Sequence, residues 1–305
     1  MKIFVEISAF KEENYRYLVQ KYTDTQFTVN PMDYDIDAII SNPGFLNREN
    51  LELYNGLKWI HLLTAGYNTV DLEYLKSRKI IMTNAKDVFS IQIAEDVFSK
   101  ILYFNRNIKT YIENKKTGEW KHERVFYEIA NSTVGILGTG SIGHEIAKRI
   151  KSFDTRIIGY RKTAESRPFF DEVYHDQDGL EKIYKESDYL IIALPLSKET
   201  SKMINKEAFS LMKPSVLIIN VARGEIIDQE ALVEALITHQ IRGAGLDVTV
   251  PEPLPKDSPL WTLDNVYITP HNASASPYVY QRLLQSVDQS IDNYINNRKL
   301  TNRII

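Results

Sequence analysis

Val134-Gly135-Ile136-Leu137-Gly138-Thr139-Gly140-Ser141-Ile142-Gly143 runs from an apolar strand into Gly-x-Gly-x-x-Gly, and the helical pattern His144–Ser152 follows at once. Each glycine has a physical reason at this spacing. Gly138 permits a tight turn, Gly140 lets the backbone come close to a pyrophosphate, and Gly143 lets the helix pack on the strand it leaves. Around Thr139, Ser141 and Ile142 the start of that helix offers unpaired N–H groups and the positive end of its dipole to phosphate. A glycine-rich βα turn without a ligand is the competing explanation, and the strand–loop–helix context argues against it. The stretch predicts dinucleotide binding.

Outward from this loop, short apolar runs alternate with helix-like segments, the pattern of layered α/β folds with parallel sheets. Upstream, strands are predicted at Lys2–Ile7, Gln26–Asn30, Ala38–Ser41, Leu57–Leu63 and Ile80–Asn84, with a helix at Asp71–Arg78. One long amphipathic helix is predicted from Ile91 to about Asn114, with Ile93, Val97, Ile101 and Phe104 on its apolar face. Downstream, strands are predicted at Thr133–Leu137, Arg156–Tyr160, Tyr189–Leu194, Val216–Val221, Gly243–Val248 and Val266–Ile268, and a last helix at Tyr278–Asn297. Two α/β units follow, joined through the long helix near residue 100.

The 305 residues suffice for two medium cores. Lys+Arg 37 against Asp+Glu 40 leaves a net charge of −3, which gives no electrostatic reason to expect nucleic acid or an anionic membrane as partner. With no cysteine, disulfides, thiolate nucleophiles and Cys-ligated metals are excluded. The six histidines show no ligand-like clustering, so no metal is expected. The apolar run within Met1–Val5 is shorter than a signal peptide needs and no apolar run approaches about 18 residues, so a cytoplasmic protein is expected.

The second strand of the downstream series ends at Arg161-Lys162-Thr163, about 20 residues beyond the first glycine, where NAD-binding sites place an acid for the ribose hydroxyls. Arg161 and Lys162 instead suit a 2′-phosphate. One charge-assisted hydrogen bond contributes about 1.5–3 kcal/mol, a preference of roughly tenfold or more. NADP(H) is therefore favoured over NAD(H), against the plainer explanation of a solvated basic pair.

Three further strands each end in a residue with chemistry: Ala222-Arg223-Gly224, Asp247 leading to Glu252-Pro253, and Thr269-Pro270-His271. Reducing a 2-keto acid needs a fixed cation for the carboxylate and carbonyl, which Arg223 supplies. It needs an acid for the carbonyl oxygen, and His271 titrates in the right range. A carboxylate beside that histidine raises its pKa, and Glu252 is the candidate. Any one of them alone reads equally well as a loop salt bridge, a turn acid or a satisfied histidine. Together, downstream of a dinucleotide loop, they point to hydride transfer.

On these motifs the chain resembles the D-isomer-specific 2-hydroxyacid dehydrogenases over nearly its whole length, with Gly138–Gly143, Ala222-Arg223-Gly224, Leu246-Asp247-Val248 through Glu252-Pro253-Leu254 and Thr269-Pro270-His271 all in place. Ala94-Glu95 and Gly118-Glu119-Trp120 also sit where that family has them. The resemblance implies two Rossmann- or flavodoxin-like lobes with parallel sheets. A dinucleotide-binding domain at 99–276 would be inserted into a substrate domain of 1–98 plus 277–305. It implies Arg223, Glu252 and His271 as the catalytic set, Asp247 beside the nicotinamide, and Leu194, Pro195, Thr200, Val221 and Ala222 along the cofactor. It further implies substrate-binding backbone at Ala65 and Gly66, a homodimer, and a D product. NADPH-linked glyoxylate and hydroxypyruvate reductases look most alike, given Arg161-Lys162 and Tyr103-Phe104-Asn105-Arg106. Asn68, where the family usually has Asp, and Asn272-Ala273-Ser274-Ala275, where glycines are common, depart from the pattern and bear on loop shape and substrate size.

Two rivals remain. Tyr111…Lys115 has the spacing of the short-chain dehydrogenase pair but precedes the glycine loop, where that mechanism has no use for it. A cofactor-sensing regulator, like the corepressors related to this family, would retain the same residues, and turnover separates it from an enzyme.

Overall fold

The computed structural model describes residues 1–124 and 126–305. The chain forms two compact units, residues 1–89 with 275–305 and residues 90–274, so the second is inserted into the first.

In the first unit β1 (Lys2–Val5), β2 (Gln26–Thr28), β3 (Ala38–Ser41), β4 (Trp59–Leu62) and β5 (Ile81–Asn84) lie in the order β2-β1-β3-β4-β5. Every pairing is parallel, the flavodoxin-like doubly wound arrangement. Strands covered on both faces read as continuous apolar runs, and all four residues of β3 and of β4 are buried. Ile3 and Val5 pack in one layer with Phe10, Leu18, Val287 and Ile291, while Phe4 packs in the other with Leu46, Leu51 and Met82. The helix Val279–Ile295 thus closes the layer begun by the helix Glu12–Lys21, and Tyr294 stacks on Trp59 at 4.7 Å. The open edge of β5 is covered by the chain's last residues, with the Ile304 N–H donating to the Met82 carbonyl at 2.8 Å.

The second unit holds β6 (Thr133–Leu137), β7 (Arg156–Tyr160), β8 (Glu172–Tyr174), β9 (Tyr189–Ile192), β10 (Leu217–Asn220), β11 (Gly243–Leu246) and β12 (Val266–Ile268). Their order is β12-β11-β10-β9-β6-β7-β8, all parallel, with the chain reversing its winding between β6 and β9. Open α/β sheets bind ligands at such a switch point, beyond the carboxyl ends of the strands. β8 is absent from the predicted strands. It is a three-residue, half-buried edge whose polar side chains leave no apolar run to read. The Tyr174 hydroxyl, Arg156 and Lys182 all bind the Glu172 carboxyl there and hold it down at about 2.

The long helix expected from Ile91 to about Asn114 is two helices, Ser90–Asn105 and Ile108–Thr117. Asn107 takes a left-handed conformation at φ 50°, which a short polar side chain tolerates and which ends the first helix's ladder. Several strands also stop short of the predicted ends: Ile7, expected in β1, already opens the turn of helix Ile7–Phe10. Among the described residues no helix is long and apolar enough to cross a membrane.

Candidate active site

Because the second sheet is wholly parallel, the loops after β6, β7, β9, β10, β11 and β12 leave from one edge. Every residue singled out between Gly138 and His271 lies on one of these loops or at the helix start that follows.

The loop after β6 is built on its glycines. Gly138 has φ 104°, and a Cβ there would lie 2.6 Å from the backbone of Ala193 and Leu194. A Cβ on Gly143 would lie 2.0 Å from the Gly138 carbonyl oxygen, so the helix Ser141–Ile150 reaches the strand only through glycine. Gly140 is different: a Cβ there meets nothing within 4 Å, and no side chain caps the helix start. Open space above Gly140 and uncapped N–H groups beside Ser141 and Ile142 form a cradle that suits a pyrophosphate. Thr139 is buried beneath it, packed beside Gly159.

Arg161 and Lys162 follow β7. The Arg161 N–H donates to the Tyr174 carbonyl at 3.0 Å, and its guanidinium pairs with Glu165, which Arg167 also approaches at 3.3 Å. After β9, Leu194 is buried, and the Thr200 hydroxyl donates to the Pro195 carbonyl at 2.8 Å, tying that loop into a compact turn.

After β10, Val221 and Ala222 are buried and Arg223 is half-buried. The turn is held by a residue given no role in the sequence analysis. Asn220 accepts the Ala222 N–H at 3.0 Å and donates to the Arg223 carbonyl at 2.9 Å. Gly224 lies so close to the next strand's exit that a Cβ would sit 2.3 Å from the Thr249 carbonyl oxygen, which explains the glycine of Ala222-Arg223-Gly224. Arg223 itself donates Nη1 to the Ala222 carbonyl at 2.6 Å.

Glu252 and His271 meet. Glu252 Oε2 lies 2.7 Å from His271 Nδ1, while Oε1 accepts the Thr249 N–H at 3.2 Å. The segment carrying Glu252 is anchored from outside by Gln229, which binds both the N–H and the carbonyl of Val250. His271 stands at φ 49°, a conformation that costs about 1–2 kcal/mol unless neighbours hold it. Its N–H donates to the Asp247 carbonyl at 2.8 Å, and the buried Asp247 carboxylate accepts the N–H groups of Asn272 and Ala273 at 3.0 and 3.1 Å.

Ala65 and Gly66 belong to the first unit, in the loop after β4. Asn84 donates to the Ala65 carbonyl at 2.7 Å and the Thr64 hydroxyl to the Gly66 carbonyl at 2.8 Å, which fixes that loop's shape. Trp120 is 93% exposed in the irregular segment after Thr117. Among the described residues no group of three or more His, Asp or Glu is arranged to hold a metal ion.

Residues 98–273 match the family described as D-isomer specific 2-hydroxyacid dehydrogenase, NAD binding domain. A glyoxylate reductase of Pyrococcus furiosus is 38% identical over 251 residues, 79% of this chain and 74% of that protein. A glyoxylate/hydroxypyruvate reductase B of Pectobacterium carotovorum is 34% identical over 270 residues, 83% of each chain. Among solved structures, an acyclic imino acid reductase in complex with NADPH and D-arginine superposes with a TM-score of 0.86 at 26% identity, covering 100% of both chains.

Proposed function

The chain belongs to the D-isomer specific 2-hydroxyacid dehydrogenase family, and from that premise we propose that it reduces a small 2-keto acid, such as glyoxylate or hydroxypyruvate, to the D-2-hydroxy acid with NADPH as the favoured reductant. The observation that carries this reading is the His271–Glu252 contact of 2.7 Å on the sheet edge that also bears Arg223 and the glycine loop.

A bound nicotinamide supplies the hydride. The Arg223 guanidinium holds the substrate carboxylate and polarises the carbonyl with its planar, positively charged fork of donors. Glu252 accepts from His271 Nδ1–H, which leaves Nε2 to give its proton to the carbonyl oxygen as the alcohol forms. In the reverse direction the same nitrogen takes that proton back. Gly138–Gly143 cradle the pyrophosphate, while Leu194, Pro195, Thr200, Val221, Ala222 and Asp247 are assigned to the wall along the dinucleotide. Arg161 and Lys162 are assigned to the 2′-phosphate, and the Ala65–Gly66 backbone to anion binding in the first unit. Residues 90–274 are accordingly the dinucleotide-binding part and residues 1–89 with 275–305 the substrate-binding part. The working form is a homodimer in the cytoplasm.

The imino acid reductase likeness supports one alternative, because a C=N bond beside a carboxylate offers Arg223 and His271 the same two handles. Nicotinamide absorbance, followed with NADPH or NADH and a panel from glyoxylate to phenylpyruvate, with and without added amine, tests both. Turnover of glyoxylate or hydroxypyruvate with preference for NADPH is expected. Turnover only with amine present selects the imine reading. Tight dinucleotide binding with no turnover of any of them contradicts both and favours a cofactor sensor.

A further inference from the structure

We propose that Lys100 is a positioning residue that, through Thr269 and Asp247, holds the His271 backbone in the left-handed conformation its acid role needs. The inference rests on the proposed role of His271.

Lys100 is fully buried on the face of helix Ser90–Asn105 that also carries Ile93, Val97 and Ile101. The fold makes room for it: a Cβ on Gly245 of β11 would lie 3.0 Å from the Lys100 stem. Buried ion pairs are often no more stabilising than well-packed apolar side chains of the same size, so a lysine at this position is not accounted for by burial alone.

Its hydrogen bonds run in one direction. Lys100 Nζ donates to the Asp96 carboxylate and, at 2.8 Å, to Thr269 Oγ1. An ammonium has donors and no acceptor, so the Thr269 hydroxyl must accept from it and turn its own proton toward Asp247 Oδ1, 2.6 Å away. The Asp247 carboxylate in turn takes the N–H groups of Asn272 and Ala273, which follow His271 directly, while the Asp247 backbone carbonyl takes the His271 N–H. From the same helix, Gln92 Nε2 donates to the Ser274 carbonyl at 3.0 Å. The turn that carries His271 at φ 49° is therefore hung from one helix, with Lys100 at the root. Burial pushes the Asp96 carboxyl up and the nearby Asp247 adds to this, while Lys100 pulls it down. Without the ammonium, two carboxylates face one another with no cation between them.

The test compares Thr269→Val, Thr269→Ser, Lys100→Met and the pair Asp96→Asn with Lys100→Met. It reads kcat on the best 2-keto acid, NADPH Kd, Tm and the crystal structures. Thr269→Val and Lys100→Met are expected to lose about tenfold to a hundredfold in kcat at unchanged NADPH Kd, and Thr269→Ser to stay close to wild type. The double variant is expected to regain Tm without regaining kcat, and His271 to leave positive φ in Thr269→Val. Recovery of kcat together with Tm in the double variant overturns the proposal by making the pair merely structural. So does unchanged kcat in Thr269→Val and Lys100→Met, or a His271 that keeps φ near 49° in both. If the wild-type protein turns over no 2-keto acid, the functional reading fails, and the crystal structures still decide whether Lys100 sets the His271 backbone.

Discussion

His271 owes its placement to its neighbours. Its backbone sits at φ 49° because Asp247 takes its N–H and those of the next two residues, and its ring is aimed by Glu252. Arg161 is constrained differently, since its guanidinium already pairs with Glu165. On the proposed reading, a 2′-phosphate has to share or displace that carboxylate. Arg161→Glu is predicted to shift the ratio of kcat/KM for NADPH over NADH by roughly tenfold or more toward NADH. An unchanged ratio removes Arg161 from cofactor selection. The proposed set Arg223, Glu252 and His271 stands out in the sequence only jointly, as three chemically capable residues in the loops after successive apolar strands. Asn220 and Lys100 do not stand out, because a polar residue inside an apolar run reads only as a flaw in the pattern. The Lys100 partner Thr269 lies 169 positions away.

At the scale of elements, the strand–glycine loop–helix unit separates two kinds of glycine. Gly143→Ala forces a Cβ against the Gly138 carbonyl and is predicted to destabilise by about 1–3 kcal/mol in urea unfolding. Gly140→Ala meets no protein atom, so stability is predicted to hold while NADPH affinity falls roughly tenfold; unchanged affinity places the pyrophosphate elsewhere. In β4 the fully buried His61 bonds Thr83 through Nδ1 at 2.9 Å, and burial pushes its imidazole down to about 3 from 6.5. The native state therefore binds fewer protons than the unfolded one between those two values. Stability from this group is full above about pH 6.5 and falls by about 1.4 kcal/mol per pH unit as pH drops toward 3. His61→Leu is predicted to flatten that slope in urea midpoints measured from pH 7 to 4, and an undiminished slope assigns it to other groups. The sequence revealed the buried strands well because both faces are apolar. It hid β8, whose hold on β7 is polar, and the break at Asn107, where one backbone angle overrides a continuous apolar stripe.

At the scale of the whole molecule, one chain makes two parallel sheets, the second inserted between residues 89 and 275 of the first. That two-unit plan is visible in the sequence as two series of strands. The points where the chain passes between units are less so: the first falls between Phe89 and Ser90, at the start of the helix Ser90–Asn105, whereas the sequence pattern suggests a join near residue 98, inside that helix's unbroken apolar stripe. The parallel arrangement gives the second unit its use: strands that all point one way deliver the glycine loop, Arg161, Arg223, Asp247, Glu252 and His271 to a single edge. The most direct test of that account follows NADPH oxidation by glyoxylate and hydroxypyruvate with the wild-type protein and His271→Ala side by side, with NADPH Kd measured on both. The account predicts wild-type turnover to the D product and a loss of about a hundredfold to ten-thousandfold in kcat for His271→Ala at unchanged Kd. Equal kcat in the two proteins, or no keto acid turnover in the wild type, contradicts it.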